Sequence, residues 1–294
     1  MNIFITGAES FVGKKLINEF KKFPKIKVYG CDLKIKKKKF FIKADIRQKN
    51  FYKKVPKNID VIIHLAAISR DQDCSRDLVE CYNTNVIGTL NILEAAKKLS
   101  VKRVLFASTE WVYHNELAQK GANENSKLDL EKLTSDYAKS KLISENNCRY
   151  YFETFKIDMA ILRFGIIYGE RHNNWSAVEA LFNNVMKNNK ITVGSLATAR
   201  GFIHIDDICN GIIKSINLRG FNIVNLQGIK LLTLKNIINA SEKILKKKVK
   251  IRELSSKFPS VRKIYSKKSN LKIKFKPTIS LDEGLIRLNN FLKN

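Results

Sequence analysis

Tyr137 and Lys141 stand four residues apart in the stretch DYAKSKLISE. On a helix that spacing puts them side by side on one face. A phenol titrates near 10, too high for a base at neutral pH. An ammonium about 4 Å away, at an effective dielectric near 20, favours the phenolate by roughly 4 kcal/mol, an upper bound of about three pKa units. Such a pair can take a proton from an alcohol. By itself the spacing also fits an exposed helical pair of no chemical use. Its weight comes from its neighbours. The stretch FASTEW ends an apolar run and carries Ser108 and Thr109 to a strand's carboxyl end, where a hydroxyl can orient a substrate alcohol.

The second candidate is a phosphate-cradling turn. Ile3–Ile5 runs into Thr6 and Gly7, a helix starts near Phe11, and Gly13 follows, with Ser10 where a third glycine is usual. A helix N-terminus offers unpaired N–H groups and partial positive charge to a pyrophosphate, and glycines let the backbone approach closely. Gly7 and Gly13 alone fit a structural turn equally well. Asp32 tips the reading, because it ends the next apolar strand about 20 residues on, where a carboxylate accepts the ribose hydroxyls of NAD. A 2′-phosphate would meet a like charge there, which favours NAD over NADP; Lys34 beside it weakens that preference.

These groups need a scaffold, and the pattern supplies one. Strand-like runs at Ile3–Ile5, Lys27–Cys31, Val61–Leu65, Val104–Ala107 and Met159–Arg163 alternate with helix-like stretches at 12–22, 85–99 and 133–153. This rhythm predicts an α/β fold with a doubly wound parallel sheet. It weakens after about Gly165. The expected division is a cofactor domain over 1–164 and a smaller C-terminal substrate-binding domain over 165–294, with a segment near 202–226 returning to the first.

Composition narrows the class. The chain has 294 residues, 44% of them apolar, enough for a full core. The absence of an apolar run of about 18 residues predicts no membrane span. A strand starting within two residues of Met1 predicts no signal peptide. Cys31, Cys74, Cys81, Cys148 and Cys209 are odd in number and form no CxxC pair, so free thiols in a reducing cytoplasm are expected. The net charge of +28 suits a nucleic-acid or anionic-surface partner. Yet the lysines are spread over the whole chain, with no basic-aromatic RNA motif, and the run KIKKKK at Lys34 to Lys39 reads as a solvated loop. Nucleic acid is therefore not the expected partner. His64 and His204 have no second ligand at metal spacing, and packing and hydrogen bonding are expected of them.

The ordered set TGAESFVG (6–13), DI (45–46), HLAA (64–67), NVIGT (85–89), STEWVY (108–113), YAKSK (137–141), LRFGIIYG (162–169), RGFIHIDD (200–207) and SLDEGL (280–285) resembles one family nearly end to end. It is the extended short-chain dehydrogenase/reductase family of NAD-dependent nucleotide-sugar epimerases and dehydratases, of the UDP-glucose 4-epimerase type. The resemblance implies a Rossmann fold, bound NAD, a nucleotide-sugar substrate and a homodimer. It implies that Gly7, Ser10, Phe11, Val12 and Gly13 lie along the pyrophosphate and that Asp32 holds the ribose. Asp45 and Ile46 would bracket the adenine, and Leu65, Ala66, Ala67 and Asn85 would line the cofactor channel. Thr109, Tyr137 and Lys141 would be the catalytic trio. Arg200 would reach the substrate diphosphate, with Glu110 also at the substrate.

The departures fall mostly on the substrate side. Ile166 stands where the family often has asparagine, Gly201 where it has aspartate after the arginine, and His114 where it has glycine. Family dehydratases carry an Asp-Glu pair after the threonine; here the pair is Glu110-Trp111, and tryptophan removes no proton. Epimerisation through a transient keto sugar is thus expected ahead of dehydration. The alternatives are a one-way NAD(P)H-dependent keto-sugar reductase, or a non-catalytic NAD- or RNA-binding protein.

Overall fold

The structure is a computed structural model describing residues 1–294 except 37, 38, 174, 175, 256, 258 and 294, so Lys37 and Lys38 of the basic run lie outside the described residues. The first half reads β1 (Asn2–Thr6), α1 (Phe11–Phe20), β2 (Lys27–Asp32), β3 (Phe41–Lys43), β4 (Val61–His64), α2 (Asp71–Arg76), α3 (Leu78–Tyr82), α4 (Gly88–Lys98), β5 (Arg103–Thr109), α5 (Asn115–Lys120), α6 (Asp136–Phe155) and β6 (Asp158–Phe164). The second half adds β7 (Ile166–Tyr168), α7 (Ala177–Lys187), β8 (Lys190–Val193), β9 (Ala199–Arg200), β10 (Phe202–His204), α8 (Ile205–Ser215), β11 (Phe221–Leu226), β12 (Leu232–Thr233), α9 (Leu234–Leu245), β13 (Lys250–Glu253), α10 (Lys267–Ile273) and α11 (Leu281–Lys293).

Seven strands form one sheet in the order β11-β6-β5-β4-β1-β2-β3, and every neighbouring pair is parallel. The predicted doubly wound sheet is present. Apolar runs such as VIIH in β4 are buried throughout, as a sheet covered on both faces requires. One face packs α1 and α8 around Leu16, Phe20 and Ile212; the other packs α4 and α6 around Ile92, Leu93 and Cys148. The chain order reverses between β1 and β4, so a crevice opens at their carboxyl ends, where Thr6 and His64 stand side by side. A third core joins α7, α9 and α11 through Phe182, Ile237 and Leu285. Strands β3 and β11 extend the sheet beyond what periodicity indicated. The former is only three residues long, and FNIVNL in the latter interleaves buried asparagines, Asn222 and Asn225, with its apolar residues.

The cysteines differ from expectation. Cys74 in α2 and Cys81 in α3 form a disulfide, with Cα atoms 4.9 Å apart, while Cys31, Cys148 and Cys209 are free and buried. Asp77 breaks the helix between them with φ −141° and ψ 87°, and its carboxylate caps α3 by accepting the Glu80 N–H at 2.9 Å. That break turns the two short helices so that their cysteines meet, which a spacing of seven does not announce. Among the described residues, no helix is long and apolar enough to cross a membrane.

Closing so short a loop removes little denatured-state entropy. The Cys74→Ser/Cys81→Ser double variant should therefore lose only about 2–3 kcal/mol. Urea unfolding checks this, and wild-type protein held in reductant should match the variant.

Candidate active site

The glycine loop is built from close backbone contacts. Gly7 has φ +72°, and a Cβ there would stand 2.8 Å from the Ala66 nitrogen. A Cβ on Gly13 would stand 2.2 Å from the Gly7 carbonyl oxygen, so α1 meets β1 only because residue 13 has no side chain. Ser10 is the N-cap of α1, and its hydroxyl accepts the Gly13 N–H at 3.0 Å. That leaves Phe11 and Val12 with first-turn N–H groups that have no intrahelical partner. Asp32 ends β2 and accepts the backbone N–H of Glu9 at 3.1 Å and of Lys34 at 3.0 Å, tying the loop to the strand edge. A turn that side chains would fill, a helix N-terminus and a carboxylate at the next strand end together fit a dinucleotide.

The remaining cofactor candidates divide. Leu65, Ala66 and Ala67 continue from β4 as a partly exposed wall against Gly7. Ile46 is buried against Gly88. Asp45 is engaged by Arg47, whose guanidinium donates at 2.6–3.0 Å and holds the carboxyl below its usual range against the opposing effect of burial. Asn85 departs from its expected place. It is 1% exposed; its Oδ1 accepts the Ile68 N–H at 2.8 Å, and its Nδ2 donates to the Ile68 carbonyl and to Ser140 Oγ, both at 3.0 Å. It braces the channel wall against α6 rather than lining the channel.

His64 is explained by hydrogen bonding. Thr89 Oγ1 donates to the Asn85 carbonyl at 2.6 Å and so accepts from His64 Nε2 at 3.0 Å. His64 Nδ1 must then accept from Thr6 Oγ1 at 2.7 Å, which fixes the tautomer. Burial, with the Lys141 charge adding to it, pushes this imidazole down to about 3 and keeps it neutral. His204 caps α8 by accepting the Asp206 N–H at 3.2 Å.

Strand alternation assigns the two hydroxyls at the end of β5. Ser108 faces inward and donates to Glu145. Thr109 Oγ1 accepts the Trp111 N–H at 3.2 Å and lies near enough to the Tyr137 phenol to act on it. Burial pushes the Tyr137 phenol up to about 12, with the Thr109 hydroxyl pulling the other way. Lys141 is buried, and its Nζ donates to the Ala107 carbonyl at 2.9 Å, 4.8 Å from the centre of the Phe106 ring. Burial brings this ammonium down to about 8, against the pull of Cys148 and Glu145. The expected lowering of the phenol by Lys141 is thus absent from this arrangement. Four-residue spacing places the two side chains on one face, but the ammonium has turned to a strand carbonyl.

Tyr137 opens on a cavity of about 360 Å³ whose lining includes Trp111, His114, Lys132, Ser135 and Arg262. Arg262, which the sequence reading did not single out, is 2% exposed. Its guanidinium donates to the carbonyls of Glu110 (2.9 Å) and Tyr113 (2.6 Å) and to Asn115 Oδ1 (3.0 Å), and lies 4.6 Å from the Trp111 ring centre. Glu110 is 1% exposed and lies within the protein instead of lining the cavity. Arg200 donates to the Ala199 carbonyl at 2.9 Å and to the Ser260 carbonyl and hydroxyl at 2.5 and 2.9 Å. The absent side chains at 165 and 201 have a use: a Cβ at either would stand 2.6–2.7 Å from the Gln227 amide, which reaches Glu110 through that space.

The NAD dependent epimerase/dehydratase family matches this chain over residues 3–226. The chain belongs to that family. It is 29% identical to a UDP-glucuronate 4-epimerase of Thermodesulfobacterium geofontis, over 80% of this chain and 73% of the relative. The structure of a UDP-glucuronic acid 4-epimerase from Bacillus cereus, in complex with UDP-glucuronic acid and NAD, superposes with a TM-score of 0.87 at 26% identity, covering 100% of this chain and 99% of that one. A UDP-glucose 4-epimerase from Thermotoga maritima, at 19% identity, shares the fold with a TM-score of 0.89, covering 100% of this chain and 99% of that one. Membership makes the protein an enzyme of a NAD-dependent family.

Two outcomes check the cofactor end. Asp32→Ala should weaken NAD binding by about 1.5–3 kcal/mol and narrow the preference over NADP, because a charged acceptor is lost; titration of both cofactors reads this, and unchanged NAD affinity would take Asp32 out of the site. Ser10→Gly should cost only a few tenths of a kcal/mol of stability. It should bind NAD at least as well, since the Gly13 N–H is freed. A clear drop in affinity would make the serine hydroxyl a phosphate ligand.

Proposed function

We propose that this enzyme epimerises a nucleotide sugar through a transient keto sugar, with NAD as its cofactor. The observation that carries the reading is the placing of Thr109 beside the Tyr137 phenol, at the mouth of a cavity and on the same sheet edge as the Gly7–Gly13 loop. When bound, NAD supplies a reversible hydride acceptor for the sugar carbon. The protein's own part is proton handling and alignment. Tyr137 takes the proton of the sugar hydroxyl and later returns it. Thr109 holds that hydroxyl in line. Lys141 swings from the Ala107 carbonyl toward the phenol and the cofactor ribose, which brings the phenol down from about 12 into a working range. Phe11 and Val12 present N–H groups to the pyrophosphate, Asp32 takes the ribose hydroxyls, and Arg200 meets the substrate diphosphate.

The direct test is NMR of the purified protein with a panel of nucleotide sugars. A new anomeric signal without added reduced cofactor is the expected result, whereas product only with added NAD(P)H would make it a net reductase. Once a substrate is known, Tyr137→Phe should cost about 10²- to 10⁴-fold in turnover and leave NAD bound. Lys141→Met should lower both turnover and cofactor occupancy. Thr109→Val should keep the cofactor and lose less rate than Tyr137→Phe. Wild-type rates in Tyr137→Phe would overturn the mechanism.

A further inference from the structure

Glu110 opens the short turn Glu110–Val112 after Thr109 and is enclosed on every side. Gln227, just past β11, donates its amide to Glu110 Oε2 at 2.9 Å. Oε1 has no hydrogen-bond partner. The charged groups bearing on the carboxyl are Arg262, from the segment after β13, and Arg200, from β9. Neither is a close partner. Arg262 Nε stands 3.7 Å from Oε1, and the other guanidinium nitrogens of Arg262 are taken by two backbone carbonyls and Asn115. Arg200 is held by Ala199 and Ser260. Both guanidinium groups lie against the same indole, with Trp111 ring-centre distances of 4.6 Å for Arg262 and 5.9 Å for Arg200. The carboxylate is therefore balanced by the fields of two cations, with one neutral amide as its hydrogen-bond donor.

We propose that Glu110 takes up a proton when the diphosphate of a nucleotide sugar occupies Arg200, so that substrate binding and protonation of this carboxyl are coupled. The proposal rests on the reading of Arg200 as the diphosphate residue. Its physical cause is a change of sign in the surroundings. A diphosphate brings two negative charges to one of the two cations that hold Glu110 ionised. In a site closed to water, the carboxylate then faces added repulsion with no solvent to relieve it. A proton moves from solvent to a Glu110 oxygen, and no other bond changes. The free protein is poised for this: burial lifts the carboxyl to about 7, with Arg262, Arg200 and Gln227 pulling the other way. The neutral carboxyl also becomes a hydrogen-bond donor beside Thr109.

The sign follows. The protonated form binds the nucleotide sugar better, so affinity is full below pH 7 and is lost as pH rises. Titration calorimetry of the NAD-loaded enzyme with UDP-glucose, whose two phosphates each carry one ester and one anhydride bond and hold no proton near neutrality, reads the coupling directly. At pH 7, in buffers of different ionisation enthalpy, the wild type should take up about half a proton per ligand. Its affinity should fall about tenfold from pH 6 to pH 8. Glu110→Gln, uncharged and nearly isosteric, should bind with a flat pH profile and no uptake. A carboxylic-acid infrared band that appears in the wild type on adding UDP-glucose is the same result without a variant, should Glu110→Gln fail to fold. No uptake in the wild type, or equal uptake in Glu110→Gln, would overturn the coupling and leave the epimerase reading standing. No binding of UDP-glucose, together with silence across the nucleotide-sugar panel, would remove both.

Discussion

The position of α6 depends on a buried ion pair. Glu145 receives the Arg163 guanidinium in two hydrogen bonds, 3.0 Å from Nε and 2.6 Å from Nη2, with both side chains 5% exposed or less. Ser108 donates to the same carboxylate, and Arg163 Nη1 donates to Tyr113, whose hydroxyl donates on to Asn225 at 2.8 Å. This chain stitches α6 to β5, β6 and β11 at one level. Tyr137, Lys141 and Glu145 recur at four-residue steps, so they share one helix face. Fixing Glu145 therefore fixes the rotation of α6 about its axis, and with it the direction of Tyr137. Apolar packing is less directional. The buried residues on α6 include Ser140, Lys141, Ser144 and Glu145, and each is hydrogen-bonded to a named partner. Removing either partner of such a pair leaves an uncompensated buried charge, typically about 3–5 kcal/mol.

The same burial that fixes the helix opposes its chemistry. Low polarity favours the neutral form of each group, so Tyr137 rises to about 12 and Lys141 falls to about 8. A phenolate is costly there unless a cation stands beside it. The ammonium that could serve lies one helical turn away, donating to the Ala107 carbonyl. The pair is thus a neutral phenol and a charged lysine turned aside. Moving Lys141 to the phenol exchanges a neutral carbonyl acceptor for one that is negatively charged once the proton has left, and opposite charge favours the phenolate. Under the proposed mechanism that motion would generate the base, with no permanently altered tyrosine needed.

What was legible in the sequence is what is local. The parallel sheet followed from apolar runs spaced by amphipathic stretches, and the Gly7–Gly13 loop with Asp32 followed from residues at strand ends. The helix carrying Tyr137 was legible for the same reason. Ser10 was read as a replacement in the glycine loop and not as the N-cap of α1 that it is, although its place just before the first helical residue carries that signal. Long-range partners were not legible. Arg163 and Glu145 are 18 residues apart, and Arg262 meets Glu110 across 152. Arginine and glutamate occur everywhere in a chain, so nothing in their types selects these pairs. The Cys74–Cys81 bridge was hidden because the helix break at Asp77, and not the spacing, brings the sulfurs together.

The two ends of the candidate site are therefore built on different principles. The cofactor end is backbone: a glycine at φ +72°, a second glycine pressed on its carbonyl, and helix N–H groups. A side-chain change such as Ser10 can be absorbed there, since the hydroxyl turns to its own helix and the path of the chain is kept. The substrate end is side chain, assembled from Glu110, Arg200, Gln227 and Arg262 on four separate segments. Gln227 occupies space that Gly165 and Gly201 leave open. An aspartate at 201 would meet the Gln227 amide and bring a second carboxylate near Glu110, which two arginines already hold only partly ionised at neutral pH. Gly201 thus leaves room for the amide that reaches Glu110.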